Sequence, residues 1–329
     1  MEIIITSAEQ RVISYLNGLP NELKKFQPKL ANTVTATGSF GHMLFHELNE
    51  GGFSIWTSHY LMKEDAGFIA TGNQSLLELQ FSLKNDFHYT LEGLGEQQLL
   101  QGHYNMSYIP FVHNNIRFHG NKDYITFDIH YDLSYLEHIA EPYPRLSSFV
   151  NQVLCNRPTT LCISNQLATP DMLTGVKQIL QNNYSGSVRK SFLEAKVIEL
   201  LILAVDKAEQ HKMEKTIPLT AYDKERIEEA RMLMLNSPEE YESVIALARK
   251  VNINDFKLKK GFRQLYGCSV FDYLQQVRME KAKILLEETI IPVADIAYMS
   301  GYNDPPNFTA AFKRHYNLTP MDIRKCKRS

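Results

Sequence analysis

Over the first 130 positions, apolar and polar residues alternate in short runs. Within 124–131, Ile125, Phe127 and Ile129 fall on one side of a period-two pattern, and Thr126, Asp128 and His130 on the other. This is the signature of a strand with one face in a core and the other toward a cavity or water. Comparable runs occupy 51–57, 75–83, 87–91 and 99–109, separated by turn formers at Glu50-Gly51-Gly52, Lys84-Asn85-Asp86 and Gly120-Asn121-Lys122-Asp123. The spacing predicts an antiparallel barrel or sandwich over residues 1–135.

After about Ser134 the period lengthens. Helices are predicted over 146–155, over 171–181 behind Thr169-Pro170, and over 189–210. In the last, Phe192, Leu193, Val197, Leu200, Leu201, Ala204 and Val205 recur every three or four residues. Such a stripe needs a partner surface, either the β-rich domain or a second copy of the chain, so 189–210 is a candidate dimerisation helix. Residues 136–212 are read as the helical part of the N-terminal domain. The polar stretch ending at Pro218 places a linker at 213–221, ahead of a further domain at 222–329.

That last domain reads as all-helical, with short helices of ~8 to 18 residues. Their start signals are Thr220 before Asp223, Ser237 before Pro238 and Glu240, Asn254, Ser269 before Asp272, Pro292, and Thr319 before Pro320. Residues 243–265 have helix-turn-helix form, with Leu247, Ala248, Ile253, Leu258 and Phe262 as the small shared core. The second helix then leaves Phe256, Lys257, Lys259, Lys260 and Arg263 on or near its outer face, side chains suited to phosphates and base edges. The pattern recurs some fifty residues later, over 292–315. Ile296-Ala297 echoes Leu247-Ala248, and Phe308 and Phe312 echo Leu258 and Phe262; Asn303, Asn307, Thr309, Lys313 and Arg314 are the outward candidates. Two such units joined by a helix over 270–287 are spaced to meet successive major grooves, ~34 Å apart.

Charge sharpens this division. The chain has a formal net charge of −2, yet from Val244 onward 15 Lys and Arg face 8 Asp and Glu, leaving that segment at +7 and the remainder at −9. A basic module for a polyanion joined to an acidic domain fits this asymmetry. No apolar run reaches the ~18 residues of a membrane span, and Met1 to Gln10 lacks a basic region before its short apolar patch, so a cytoplasmic location without membrane contact is expected. Cys155, Cys162, Cys268 and Cys326 show no CxxC spacing.

The run Asp295-Ile296-Ala297, Gly301-Tyr302-Asn303-Asp304, Phe308, Phe312-Lys313-Arg314 and Asn317-Leu318-Thr319-Pro320 resembles the signature of AraC/XylS-type regulators. So do Gly267 to Ala282, with Tyr273, Arg278 and Ala282. The resemblance covers about Asp223 to Arg324 and implies a two-motif DNA-binding domain, promoter recognition and control of transcription, usually activation, with RNA polymerase as a further partner. Three positions depart from the pattern. Pro305-Pro306 stands where the family commonly has Gln-Ser, Ala310 where many members carry arginine, and Gly261 inside the first recognition helix, where it costs ~1 kcal/mol of helix propensity. The segment Tyr184-Ser185-Gly186 through Leu201, with its LEAK run, resembles the end of the regulatory domain in the pyochelin-regulator subgroup. That implies a β-rich effector domain for an iron-siderophore complex or another small hydrophobic ligand.

The fold expected is therefore α+β: a cupin-like barrel or sandwich with following helices, then a double helix-turn-helix domain. The chain reads as an effector-responsive activator binding promoter DNA, capable of forming a homodimer. The alternatives are an effector-independent regulator and a protein-interaction module whose helical domain does not bind DNA. Nine of the eleven histidines precede Glu141, but none shares tight ligand spacing with a carboxylate, so neither a metal site nor a cofactor is expected. There is no GxSxG, P-loop, GxGxxG or HExxH and no paired acid/base arrangement, so no catalytic residues are assigned and the chain is not read as an enzyme. The effector-contacting residues are not identifiable from the sequence.

Overall fold

A computed structural model describes residues 4–20, 23–24, 32–210, 217–241, 243–266, 268–316 and 318–326, with the Cys326 side chain outside that set. The strands are β1 (Ile4–Ser7), β2 (Ser14–Asn17), β3 (Asn32–Gly38), β4 (Gly41–Asn49), β5 (Phe53–Met62), β6 (Ala66–Gly72), β7 (Leu76–Lys84), β8 (Phe87–Leu91), β9 (Gly95–Leu99), β10 (His103–Ile109), β11 (Val112–Phe118) and β12 (Lys122–Tyr131), with short β13 (Thr159–Thr160) and β14 (Gln166–Leu167). The helices are α1 (Leu133–Ala140), α2 (Pro144–Leu154), α3 (Pro170–Gln181), α4 (Gly186–Gln210), α5 (Ala221–Asn236), α6 (Val244–Lys250), α7 (Asp255–Tyr266), α8 (Val270–Glu288), α9 (Val293–Met299), α10 (Pro305–Tyr316) and α11 (Pro320–Cys326). Contacts divide the chain into two units, Met1–Ala168 with Gly175–Lys212, and Thr169–Thr174 with Met213–Ser329.

The β unit is built from two antiparallel sheets. One has the order β1-β6-β11-β8-β9; the other runs β13-β10-β7-β12-β5-β4-β3-β2, with β14 beside β10. Register decides what each face carries, because side chains alternate across a strand. β12 pairs with β5 and β7 so that Asp128 lies opposite Trp56 and Gln80, Thr126 opposite Ser58 and Ser82, and His130 opposite Glu78. These side chains share the face that looks across to the smaller sheet. Phe127 and Ile129, on the opposite face, are fully buried. The helical segment covers that face, and Tyr131 Oη donates to the Val197 carbonyl of α4 at 3.1 Å.

The α4 stripe is consumed inside the chain: Leu193, Val197, Leu200, Leu201, Ala204, Val205 and Ala208 are each at most 1% exposed. Helix α2 is held against α4 at its N-terminus, where the Arg145 and Leu146 amides donate to Glu209 Oε1 at 2.7 and 3.3 Å. A carboxylate there satisfies orphan donors and meets the positive end of the helix dipole.

In the helical unit, side-chain caps fix the helix starts. The Asp223 amide donates to Thr220 Oγ1 at 3.1 Å while the Thr220 amide donates to Asp223 Oδ2 at 2.9 Å, a closed capping box. Thr319 and Asp322 repeat it at α11, and Ser269 caps α8 through the Asp272 amide. The signal at Ser237 yields only a single 3-10 turn, Pro238–Glu240. Arg278 Nε and Nη2 take the Pro238 and Tyr241 carbonyls as acceptors, both at 3.0 Å, and those carbonyls are withheld from a continuing helix. The segment expected to be a linker is in part built into this unit. The Ile217 amide donates to Gln264 Oε1 at 3.1 Å, and Thr220 already caps α5; residues 213–216 lie outside the described set. Among the described residues, no helix is long and apolar enough to cross a membrane.

Candidate nucleic-acid interface

Each helix-turn-helix is organised by its turn. In the first, the Ile253 amide reaches back to the Ala248 carbonyl at 3.0 Å; in the second, the Tyr302 amide reaches the Ala297 carbonyl at 3.0 Å. The pivot residues Asn252 and Gly301 have φ of +55° and +81°, the left-handed conformation that ends a helix with a single sharp reversal. Asparagine and glycine are the residues that tolerate it. Small Ala248 and Ala297, 2% and 0% exposed, then let the paired helices cross closely. Around the second motif, Met279, Ala282, Leu286, Ile296, Ala297, Phe308, Phe312 and Ile323 form one core.

The two second helices are α7 and α10. On α7, Phe256 is 56% exposed, Lys259 and Arg263 are exposed, and Lys260 is half-buried, so residues at i, i+3, i+4 and i+7 share an outer face. Lys259 and Lys257 also bind carboxylates of the domain. Lys259 Nζ pairs with Asp255 one turn back at 3.0 Å. Lys257 Nζ meets both oxygens of buried Asp223 at 2.9 and 3.0 Å and ties α7 to α5. The Lys257 ammonium, with the Thr220 donors, pushes the Asp223 carboxyl down to about 2.

On α10, Asn307, Ala310, Lys313 and Arg314 are exposed, with Asn303 exposed just before the helix. Thr309 is half-buried and its hydroxyl donates to the Pro305 carbonyl at 3.0 Å, so its proton serves the helix itself. Pro305 and Pro306 occupy the first turn, where no intrahelical donor is needed. The structure gives Gly261 a use: a Cβ there would overlap Ile227 Cδ1 and lie 3.0 Å from Leu219 Cδ2, so α7 packs tightly on α5 only because the side chain is missing.

Arg278 is the residue whose weight sequence reading missed. Buried in α8, it binds the Pro238 and Tyr241 carbonyls ahead of the first motif. Its guanidinium also lies 5.9 Å from the Tyr302 ring centroid and against the Gly301 turn of the second. One side chain thus ties the flanks of both motifs to the joining helix.

A second feature belongs to the β unit, where a cavity of about 260 Å³ lies between the two sheets. Trp56, Glu78, Asp128 and His130 look into it from the larger sheet, and Tyr89 and Asn114 from the smaller. Only the pairing of β7 with β12 brings Glu78 beside His130 and Asp128, fifty residues later in the chain. Among the described residues, no group of three or more His, Cys, Asp or Glu side chains is arranged to hold a metal ion.

Comparison with known proteins matches both units. Residues 247–325 match a family described as a helix-turn-helix domain. Residues 40–219, more than half of the chain, match the family described as the regulatory protein PchR N-terminal domain. The chain belongs to that family. Joined to this PchR-type unit is an AraC-type helix-turn-helix domain. The chain is 26% identical over 194 residues to the HTH-type transcriptional activator RhaS of Escherichia coli O1:K1, a match covering 50% of this chain and 69% of that protein. It is 34% identical over 79 residues to the Msm operon regulatory protein of Streptococcus mutans serotype c, covering 24% of this chain and only 28% of that relative's length. The crystal structure of a transcriptional regulator with an AraC-type DNA-binding domain from Chromobacterium violaceum covers 33% of this chain and 96% of that one, at 27% identity and a TM-score of 0.30.

Proposed function

We propose that this PchR-type protein is a sequence-specific transcription regulator that binds promoter DNA through α7 and α10, acts as an activator, and takes a small-molecule effector in the cavity of its β unit. The observation that carries the reading is the repeated helix-turn-helix, with the same turn geometry, the same small residue at the crossing and a polar, basic outer face each time. In this reading Lys259, Lys260, Arg263, Lys313 and Arg314 meet phosphates and base edges, Asn303 and Asn307 read bases, and Phe256 supplies apolar contact such as a thymine methyl accepts. Lys257 divides its charge between DNA and Asp223, and Thr309 contacts DNA as an acceptor. Ala310 offers no guanidinium to guanine, so the second motif discriminates less than the first. RhaS is named a transcriptional activator, which supports activation and with it contact to RNA polymerase. An effector shifts such a protein only by binding its two states unequally.

The test is fluorescence anisotropy of the full chain on the region upstream of its neighbouring genes, with a scrambled duplex as control, across ~50 to 200 mM salt. Specific binding that falls steeply with salt is expected. Lys260→Ala and Arg263→Ala should each weaken it about tenfold, by the ~1–3 kcal/mol of one good contact. Equal binding to both duplexes, in the presence and absence of candidate effectors, would replace the reading with a helical domain that docks a protein partner.

A further inference from the structure

The effector role just proposed is deepened by the lining of the cavity, on which the following inference rests. Glu78 and Asp128 are 7% and 6% exposed and sit diagonally on neighbouring strands with their side chains toward the cavity. Asp128 Oδ2 accepts from Thr126 Oγ1 at 2.9 Å, while its Oδ1 has no hydrogen-bond partner among the described residues. Asn114 Oδ1, arriving from β11 on the facing sheet, is likewise buried without a partner. Among the described residues, no lysine or arginine lines the cavity. Among the described lining residues the one basic ring is His130, with Nε2 3.5 Å from Glu78 Oε2 and its plane stacked on Trp56 at a centroid distance of 5.6 Å.

Two buried carboxylates without a cationic Lys or Arg beside them are costly to the fold. Burial and the neighbouring Glu78 charge push the Asp128 carboxyl well above the ordinary carboxylate range. The unmatched Asp128 and Asn114 oxygens are acceptors and come from the two sheets, His130 Nδ1 is also buried without a partner, and apart from Ser58, Gln80, Thr126 and His130 the rest of the described wall is aromatic and aliphatic. We propose that this cavity binds a small organic cation, a cyclic or aromatic primary amine whose ammonium group is held by Asp128, Glu78 and Asn114 and whose ring fills the apolar remainder. An ammonium brings three donors to these three acceptors, and the faces of Trp56 and Tyr89 add cation–π attraction. The volume, about 260 Å³, is below the ~300–1,000 Å³ of drug-sized sites, so the skeleton has one or two rings. An anion of the same shape would bring further negative charge beside the two carboxyl groups.

Trp56 is the only tryptophan of the chain and lines the cavity, so its emission reports occupancy directly. The full-length protein is titrated with primary arylalkylamines from benzylamine to tryptamine, each paired with the alcohol and the carboxylate of the same skeleton. Saturable change with at least one amine, at least tenfold tighter than with its alcohol or carboxylate, is expected. Asp128→Asn and Glu78→Gln should each lose that preference and melt no earlier than the wild type. A carboxylate or alcohol binding as tightly as its amine would overturn the cation assignment while leaving the effector cavity standing. No saturable response to any probe by folded wild-type protein would overturn the assignment and the cavity's role together. The DNA measurement decides the regulator reading independently.

Discussion

Lys257 and Asp223 show how one ion pair ties α7 to α5. Replacing Lys257 by alanine leaves Asp223, 4% exposed, without its ammonium partner. The Asp223 carboxyl is depressed to about 2, by the Lys257 contact first and the Thr220 donors second, from ~3.9 in an unfolded chain. A depressed pKa stabilises the fold above the unfolded value, and that contribution is lost as pH falls through the folded one. Chemical denaturation should therefore show the wild type more stable than Asp223→Asn at pH 6, with the gap closing between about pH 4 and pH 2. Gly261 makes the complementary case for steric need. Its packing against Ile227 and Leu219 leaves no room for branching, so Gly261→Val should destabilise the helical unit by about 2–3 kcal/mol. In a double-mutant cycle, Ile227→Ala should relieve part of that cost.

The turn between the two helices of each motif shows what an element requires of one residue. Asn252 and Gly301 share a left-handed pivot, but only Gly301 faces a guanidinium, with Arg278 Cζ 2.8 Å from where its Cβ would be. Asn252→Gly should change stability by no more than about 0.5 kcal/mol, whereas Gly301→Ala should cost about 2 kcal/mol and weaken DNA binding by displacing α10. Equal effects of the two substitutions in urea denaturation would show that the Arg278 contact contributes nothing.

For the whole molecule, the separation into two units with their own cores predicts unfolding that is not two-state. Trp56 reports the β unit alone, while helical circular dichroism is dominated by the other unit together with α1 to α4. Arg278→Met removes hydrogen bonds to two carbonyls and should cost the helical unit about 2–4 kcal/mol. Its thermal transition should then move down in the dichroism trace while the Trp56 transition stays in place. A common shift of both traces would mean that the units unfold as one. The contrast of +7 beyond Val244 with −9 before it also makes polyanion binding a property of one unit, and the salt slope of the intact chain should follow the phosphates that unit alone neutralises.

Local patterns were sufficient for much of this. The alternation over 124–131 marks a two-faced strand, the caps at Thr220, Ser269 and Thr319 mark helix starts, and the fifty-residue echo of Leu247-Ala248 in Ile296-Ala297 marks the double motif, because each depends on contacts within a few residues or on a repeat. The start at Ser237 misled because its carbonyls are claimed by Arg278, forty residues away. The cavity was hidden for the same reason. Thr126, Asp128 and His130 are legible as one polar face, but whether that face meets water or a ligand site depends on strands β7 and β11 arriving from elsewhere in the chain. Periodicity determines which side chains share a face; only the pairing of distant strands and the packing of distant helices decide what each face meets, because those contacts leave no spacing in the sequence.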